Sequence, residues 1–122
     1  MKLLFIVNPI AGSGSALRAI PFIEEYCKQR NIEYEIIKTE FKGHATELAR
    51  NAISEQYHGI VAVGGDGTAM EVANGLIGSS VPLGILPMGT GNDLAKALNI
   101  PINLEKALWI VTNGRTKLID TI

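Results

Sequence analysis

The sequence predicts an α/β fold, a doubly wound, mainly parallel sheet with helices on both faces. Two observations carry this. Short aliphatic runs alternate with segments of helical period, and each run is near-continuously apolar, as strands covered on both faces require. Composition agrees: of 122 residues, 47% are hydrophobic, only 6% are aromatic and 13 are Gly, which suits an aliphatic interior with many tight turns. A chain of this length makes one domain with a single core.

In chain order, Leu3 to Val7 reads as the first strand, and Leu17 to Arg30 as a helix that Pro21 either delays or kinks. Ile36 to Ile37 with their flanks form the second strand and Ala45 to Gln56 the next helix. Ile60 to Val63 and Leu83 to Leu86 are strands separated by the helix Thr68 to Ile77. Helices at Leu94 to Leu98 and Leu104 to Val111 precede a last strand, Leu118 to Ile122. The chain stops directly after that strand, so it is expected to be the first part of a longer protein.

Charge and cysteine content exclude several classes of function. Eleven Lys and Arg against twelve Asp and Glu give a net charge of -1, with no basic excess to hold nucleic acid or anionic lipid by bulk attraction. Any anion site must be local. The single Cys27 cannot form an internal disulfide, and two scattered His leave no cluster of zinc type. The amino terminus lacks a signal-peptide core, and no run of about 18 apolar residues occurs to span a membrane. A soluble, cytoplasmic protein is expected.

Three glycine-rich turns each follow an expected strand and precede an expected helix, which in a parallel sheet gathers them at the carboxyl edge where ligands bind. The first, Asn8-Pro9-Ile10-Ala11-Gly12-Ser13-Gly14, can bring backbone amides toward a phosphate but lacks the Lys of a P-loop. As a plain turn, Gly12 and Gly14 would supply positive φ and Ser13 or Ser15 would cap the helix. The second, Gly64-Gly65-Asp66-Gly67-Thr68, packs three glycines around one carboxylate. Its bland reading makes Asp66 a turn former and Thr68 an N-cap, yet two further glycines exceed what a turn requires. A branched side chain at Gly65 or Gly67 would block the phosphate approach or force an unfavourable φ. In the third, Pro87-Met88-Gly89-Thr90-Gly91-Asn92-Asp93, either Asn92 or Asp93 can cap the helix that follows.

The ordered set of turns, spanning nearly the whole chain, resembles the diacylglycerol kinase catalytic-domain family, which includes sphingosine kinases and bacterial lipid kinases. That resemblance implies a Rossmann-like domain binding ATP against a second, mainly β domain that carries the lipid contacts and the proton acceptor. Carried over by position, Asn8, Pro9, Gly12 and Gly14 line the nucleotide, Thr39 contacts it from the second strand, and Gly64, Gly65, Asp66, Gly67, Thr68 and Glu71 wrap the phosphates. Gly89, Thr90 and Asn92 close the site. Asp66 supports catalysis, and Asp66, Asp93 and Asp120 are implied to help hold Mg²⁺, an ion that takes oxygen ligands and keeps several waters.

The partners implied are ATP and a lipid substrate at a membrane surface, reached through the second domain, with no nucleic acid; a homodimer is left open. Location would be cytoplasmic and peripheral to the membrane. The sequence departs from the family's pattern at Met70, where Asn is frequent, and at Ser13 and Ser15, where many relatives place Lys or Arg. Positive charge near the phosphates would then come from Arg18 or from the second domain. Competing readings are an NAD kinase, which shares the second turn but is not expected to carry both flanking turns, a dinucleotide-binding oxidoreductase module, for which no GxGxxG follows the first strand, and a regulatory relative that binds without turnover.

Four further residues have plainer readings. His44 reads as capping or surface packing and His58 as loop surface. Cys27 shares a helical stripe with Ile20 and Ile23, so a buried thiol is expected. Trp109 reads as core, or as surface that the second domain covers.

Overall fold

The computed structural model describes residues 1–89, 96–97 and 103–113. Strands β1 (Lys2–Val7), β2 (Glu33–Lys38), β3 (Gly59–Gly64) and β4 (Leu83–Pro87) form a parallel sheet in the order β2-β1-β3-β4. Every residue of β1, β3 and β4 past the first of β1 is buried, so these strands are apolar throughout rather than alternating.

The first helical stretch starts earlier than its apolar pattern and is divided. A 3₁₀ turn at Ala11–Gly14 leads into α1 (Ser15–Arg18), and α2 (Ile20–Gln29) follows after Ala19. Pro21 lies in the first turn of α2, where its missing N–H leaves no bond unmade. The other helices are α3 (His44–Ala52), with a 3₁₀ turn at Ile53–Glu55, α4 (Asp66–Gly75) and α5 (Leu104–Thr112), which the Asn103 side chain caps by accepting from the Lys106 amide at 3.0 Å.

The pleat divides the core in two. Leu3, Phe5 and Val7 of β1 face Ile23, Cys27 and Leu108, under α2 and α5, whereas Leu4 and Ile6 face Ala45, Ala49 and Val72, under α3 and α4. Helices therefore cover both faces, as expected. On that face α3 and α4 approach each other closely because they meet through small residues. A Cβ on Gly75 would lie 2.5 Å from the Thr46 carbonyl oxygen and 2.7 Å from the Ala49 Cβ.

Two expectations need correction. β2 is not apolar throughout: Glu33, Glu35 and Lys38 are exposed and none of its residues is fully buried. It pairs only with β1 among the described residues, and an edge strand bearing charges resists pairing with a further chain. Of the two readings of Trp109, core is excluded and surface stands: it is 50% exposed, because the buried face of α5 is Ala107, Leu108 and Val111. Lys96 and Ala97 are helical, as expected. The rest of that helix, the strand at Leu118 to Ile122, and Thr90, Asn92, Asp93 and Asp120 lie outside the described residues.

Cys27 is buried as expected, and burial pushes its thiol up from 9.0 to about 11, with the charge of Arg30 partly opposing. The folded chain thus keeps this proton where the unfolded chain releases it. The stability linked to Cys27 is complete below the ordinary value of 9.0 and falls as pH rises toward 11. A thiol reagent at neutral pH is expected to label Cys27 only after denaturation. Rapid labelling of the native protein would contradict this burial.

Candidate functional site

From β1 the chain steps to β2 on one side and then returns to β3 on the other, so the winding reverses between β1 and β3. Connections leave such a pair in opposite directions and open a crevice at its carboxyl end. Three backbone bonds carry the ladder past the strand ends there. The Thr39 amide donates to the Val7 carbonyl at 2.8 Å, that of Asn8 to Val63 at 3.0 Å and that of Met88 to Gly64 at 2.8 Å. The turns after all four strands are thereby set at one level.

Two cavities occupy this edge. A smaller one of about 350 Å³ is lined by Asn8, Ala11, Gly12, Gly65, Asp66, Gly67, Thr68 and Gly89. A larger one of about 410 Å³ is lined by Asn8, Pro9, Ile10, Thr39, Glu40, Phe41, Lys42, Ala45, Gly67, Thr68 and Glu71. Asn8, Gly67 and Thr68 belong to both, so the two adjoin at the same cleft. Ten of the residues expected at a nucleotide site are brought together in it: Asn8, Pro9, Gly12, Thr39, Gly65, Asp66, Gly67, Thr68, Glu71 and Gly89.

Gly14 and Gly64 line neither cavity. Gly64 instead lets the first turn of α4 close on β3, since a Cβ there would lie 2.6 Å from the Thr68 hydroxyl oxygen. Gly14, at φ +93, is the N-cap of α1.

The first turn is shaped by its backbone. Gly12 (φ +61), Ser13 (φ +57) and Gly14 (φ +93) are left-handed in succession. Neither Ser13 nor Ser15 caps a helix; the Ser15 hydroxyl donates to the Met88 carbonyl at 3.1 Å and ties the first turn to the third. The Asn8 side-chain oxygen accepts from the Ile10 amide at 3.2 Å, folding the turn back over β1. Arg18 donates to the Ser13 carbonyl at 3.4 Å, which places its charge beside this turn.

The second turn differs from expectation in how it uses its glycines. Gly65 is extended (φ −93, ψ −164) and Gly67 is helical, so neither needs positive φ. Thr68 is not an N-cap: α4 already begins at Asp66, Gly65 is its N-cap, and Thr68 is buried two residues into the helix. Instead, Gly65 permits close approach, because a Cβ there would lie 3.2 Å from the Gly89 Cα of the third turn. A Cβ on Gly67 would meet nothing within 4 Å, and Gly67 lines both cavities. A ten-residue helix thus starts at the cleft with almost no side-chain bulk around its first amides, an arrangement suited to an anion.

Glu71 lines the larger cavity, where its carboxylate accepts from the Gly43 amide at 3.2 Å, and its carbonyl accepts from the Thr46 hydroxyl at 2.7 Å. It therefore anchors the turn before α3 as well as facing the cleft. His44 has a structural part in that turn, with Nδ1 accepting from the Glu40 amide at 2.9 Å and its ring stacked on Phe41. His58 is exposed and accepts from the Lys2 amide at 2.9 Å.

Sequence reasoning missed Ile10, Ala11, Glu40, Phe41, Lys42 and Ala45 as parts of the cleft. Four of them lie in or beside the β2–α3 connection, which has no dense glycine motif; the only signal was an aromatic residue standing alone among charged neighbours. Among the described residues, Lys42 is the one cationic residue lining either cavity.

Among the described residues, no group of three or more His, Cys, Asp and Glu could hold a metal ion. Among the described residues Asp66 is the one carboxylate lining the smaller cavity, which fits an ion that takes its other ligands from water and phosphate oxygens. No described helix is long and apolar enough to cross a membrane.

Residues 2–122 match the family described as "Diacylglycerol kinase catalytic domain". Sphingosine kinase 1 of Arabidopsis thaliana is 34% identical over 131 residues, covering 98% of this chain and 27% of that protein. A diacylglycerol kinase of Staphylococcus aureus is 36% identical over 117 residues, covering 94% of this chain and 37% of that protein. The crystal structure of a diacylglycerol kinase from Bacillus anthracis str. Sterne superposes with a TM-score of 0.75 at 32% identity, covering 92% of this chain and 39% of that one. The chain spans well under half the length of these relatives. With the same ordered turns meeting at one sheet edge, and a match over nearly its whole length, the chain belongs to the diacylglycerol kinase catalytic-domain family.

Proposed function

We propose that these residues are the ATP-binding half of a lipid kinase whose second, mainly β domain follows in the full-length protein. The observation that carries this is the cleft at the switch point, glycine-lined at the start of α4 and bearing the Asp66 carboxylate. In the reaction, the lipid hydroxyl oxygen bonds to the γ-phosphorus of ATP, the bond from that phosphorus to the β–γ bridging oxygen breaks, and ADP leaves. The hydroxyl proton passes to an acceptor in the second domain, because no described residue of the cleft stands out as its base. Such chemistry depends chiefly on positioning and charge stabilisation.

Each part of the cleft has a task in this reading. The amides opening α4 and the turn at Gly12 hold the phosphates, while Thr39 and Glu71 bound the larger cavity. Asp66 would help hold Mg²⁺ through its waters, with Asp93 and Asp120 as further carboxylates, and the bound ion would supply positive charge against the phosphates. The lipid is met at a membrane surface by the second domain, so the protein acts peripherally from the cytoplasmic side.

Gly67→Ala tests the assignment directly. Its Cβ would enter open space at a helical position, so the variant is expected to fold, and Ala is favoured over Gly in a helix by about 1 kcal/mol. Nucleotide affinity is expected to fall about tenfold, because the methyl group occupies the approach to the first amides of α4. The measurement is ATP titration of the full-length variant by calorimetry, with circular dichroism as the control for folding. Unchanged affinity in a folded variant removes this turn from the site.

A further inference from the structure

The larger cavity has a character that phosphate binding does not explain. Ile10 is 80% exposed and Phe41 58% exposed, and both line it. Single apolar residues on a surface are ordinary. Here two of them, on the turns after β1 and β2, converge on one cavity that shares Asn8, Gly67 and Thr68 with the glycine-lined one.

Phe41 is also held in place before any ligand arrives. Its ring stacks on that of His44, with centroids 4.3 Å apart and planes 14° from parallel. The His44 ring is fixed in turn by its bond from the Glu40 amide at 2.9 Å, and the His44 amide donates to the Phe41 carbonyl at 3.1 Å. The carboxylate of Glu71 secures the same turn through Gly43 at 3.2 Å. A ring supported on one face by a second ring and open on its other side loses little freedom when a flat ligand settles on it.

We infer that Phe41, with His44 as its positioning residue and Ile10 as a second apolar wall, forms the shelf on which the heteroaromatic base of the nucleotide stacks. The inference rests on the nucleotide reading given above and specifies how the base is selected. Stacking reads the area and polarity of a π-face rather than the hydrogen-bonding edges. The shelf therefore favours purine over pyrimidine nucleotides and separates ATP from GTP only weakly.

The test compares binding of ATP, UTP and inorganic tripolyphosphate, each with Mg²⁺, to the full-length protein and its variants by calorimetry. ATP is expected to bind more tightly than UTP, and Phe41→Ala to weaken ATP about tenfold while leaving tripolyphosphate unchanged, the loss of one base–aromatic stack. His44→Ala should show a smaller loss with the same selectivity for the base. Phe41→Trp should restore ATP affinity and add a fluorescence signal that ATP quenches and tripolyphosphate does not. ATP binding that is indifferent to Phe41→Ala overturns the shelf alone, as does an equal loss for ATP and tripolyphosphate, which would make the turn a phosphate support. If the unsubstituted protein binds neither ATP nor tripolyphosphate, the nucleotide reading falls and the shelf falls with it.

Discussion

Replacing Asp66 by Asn in the full-length protein is expected to lower lipid phosphorylation by about 10² or more, the scale of losing one preorganised electrostatic group. Asn keeps the shape of the side chain and removes its charge. Asp66 opens α4 at the wall of the smaller cavity, so the substitution acts where phosphate charge and metal meet in the proposed reaction. ATP binding should fall less than turnover, since the backbone amides that hold the phosphates are untouched. Transfer of radiolabelled phosphate from ATP to diacylglycerol and sphingosine-like lipids in mixed micelles measures the effect. Near-normal turnover would reduce Asp66 to a turn former.

Gly12→Ala is expected to lower stability by about 3 kcal/mol, enough to shift the melting temperature by on the order of 10 °C. The left-handed φ of +61 is only part of the cause, because the neighbouring Ser13 tolerates φ +57. Overlap decides the outcome. A Cβ on Gly12 would lie 2.0 Å from the Met88 carbonyl oxygen and 2.2 Å from the Ser15 hydroxyl oxygen. The hydroxyl can rotate away, but the carbonyl belongs to the backbone that follows β4 and moves only with the third turn. Thermal unfolding of Gly12→Ala beside Gly67→Ala is the measurement. The first should melt well below the unsubstituted protein and the second at or slightly above it; equal melting temperatures would mean that the first and third turns do not meet as closely as described.

The two glycines show what kinds of information separate sequence from structure. Both sit in turns that the sequence marks as dense in glycine. Yet Gly12 is needed by the fold, through a contact with a residue 76 positions away, and Gly67 is free of any such contact. Local composition reports that side chains are absent. Only the packed turns reveal what each missing side chain would have struck.

The sequence by itself determined the class of fold, because continuous apolar runs at β1, β3 and β4 have no stable arrangement except between two layers of helices. It also determined that three turns would share the carboxyl edge, since strand-to-helix turns of a parallel sheet all emerge at one end. Tertiary structure alone decided the rest. That β2 lies at an edge of the sheet among the described residues, and that the winding reverses between β1 and β3, follows from strand order, which no local pattern encodes. Phe41, Lys42 and Ile10 entered the cleft for the same reason: β2 pairs beside β1, so the turn after β2 is set against the turn after β1. Glu71 is bonded to Gly43, 28 positions away, because α3 and α4 pack side by side through Ala49 and Gly75. Periodicity along a chain records which residues are buried, whereas proximity between turns depends on how the strands are ordered, and that order is fixed only when the whole sheet assembles.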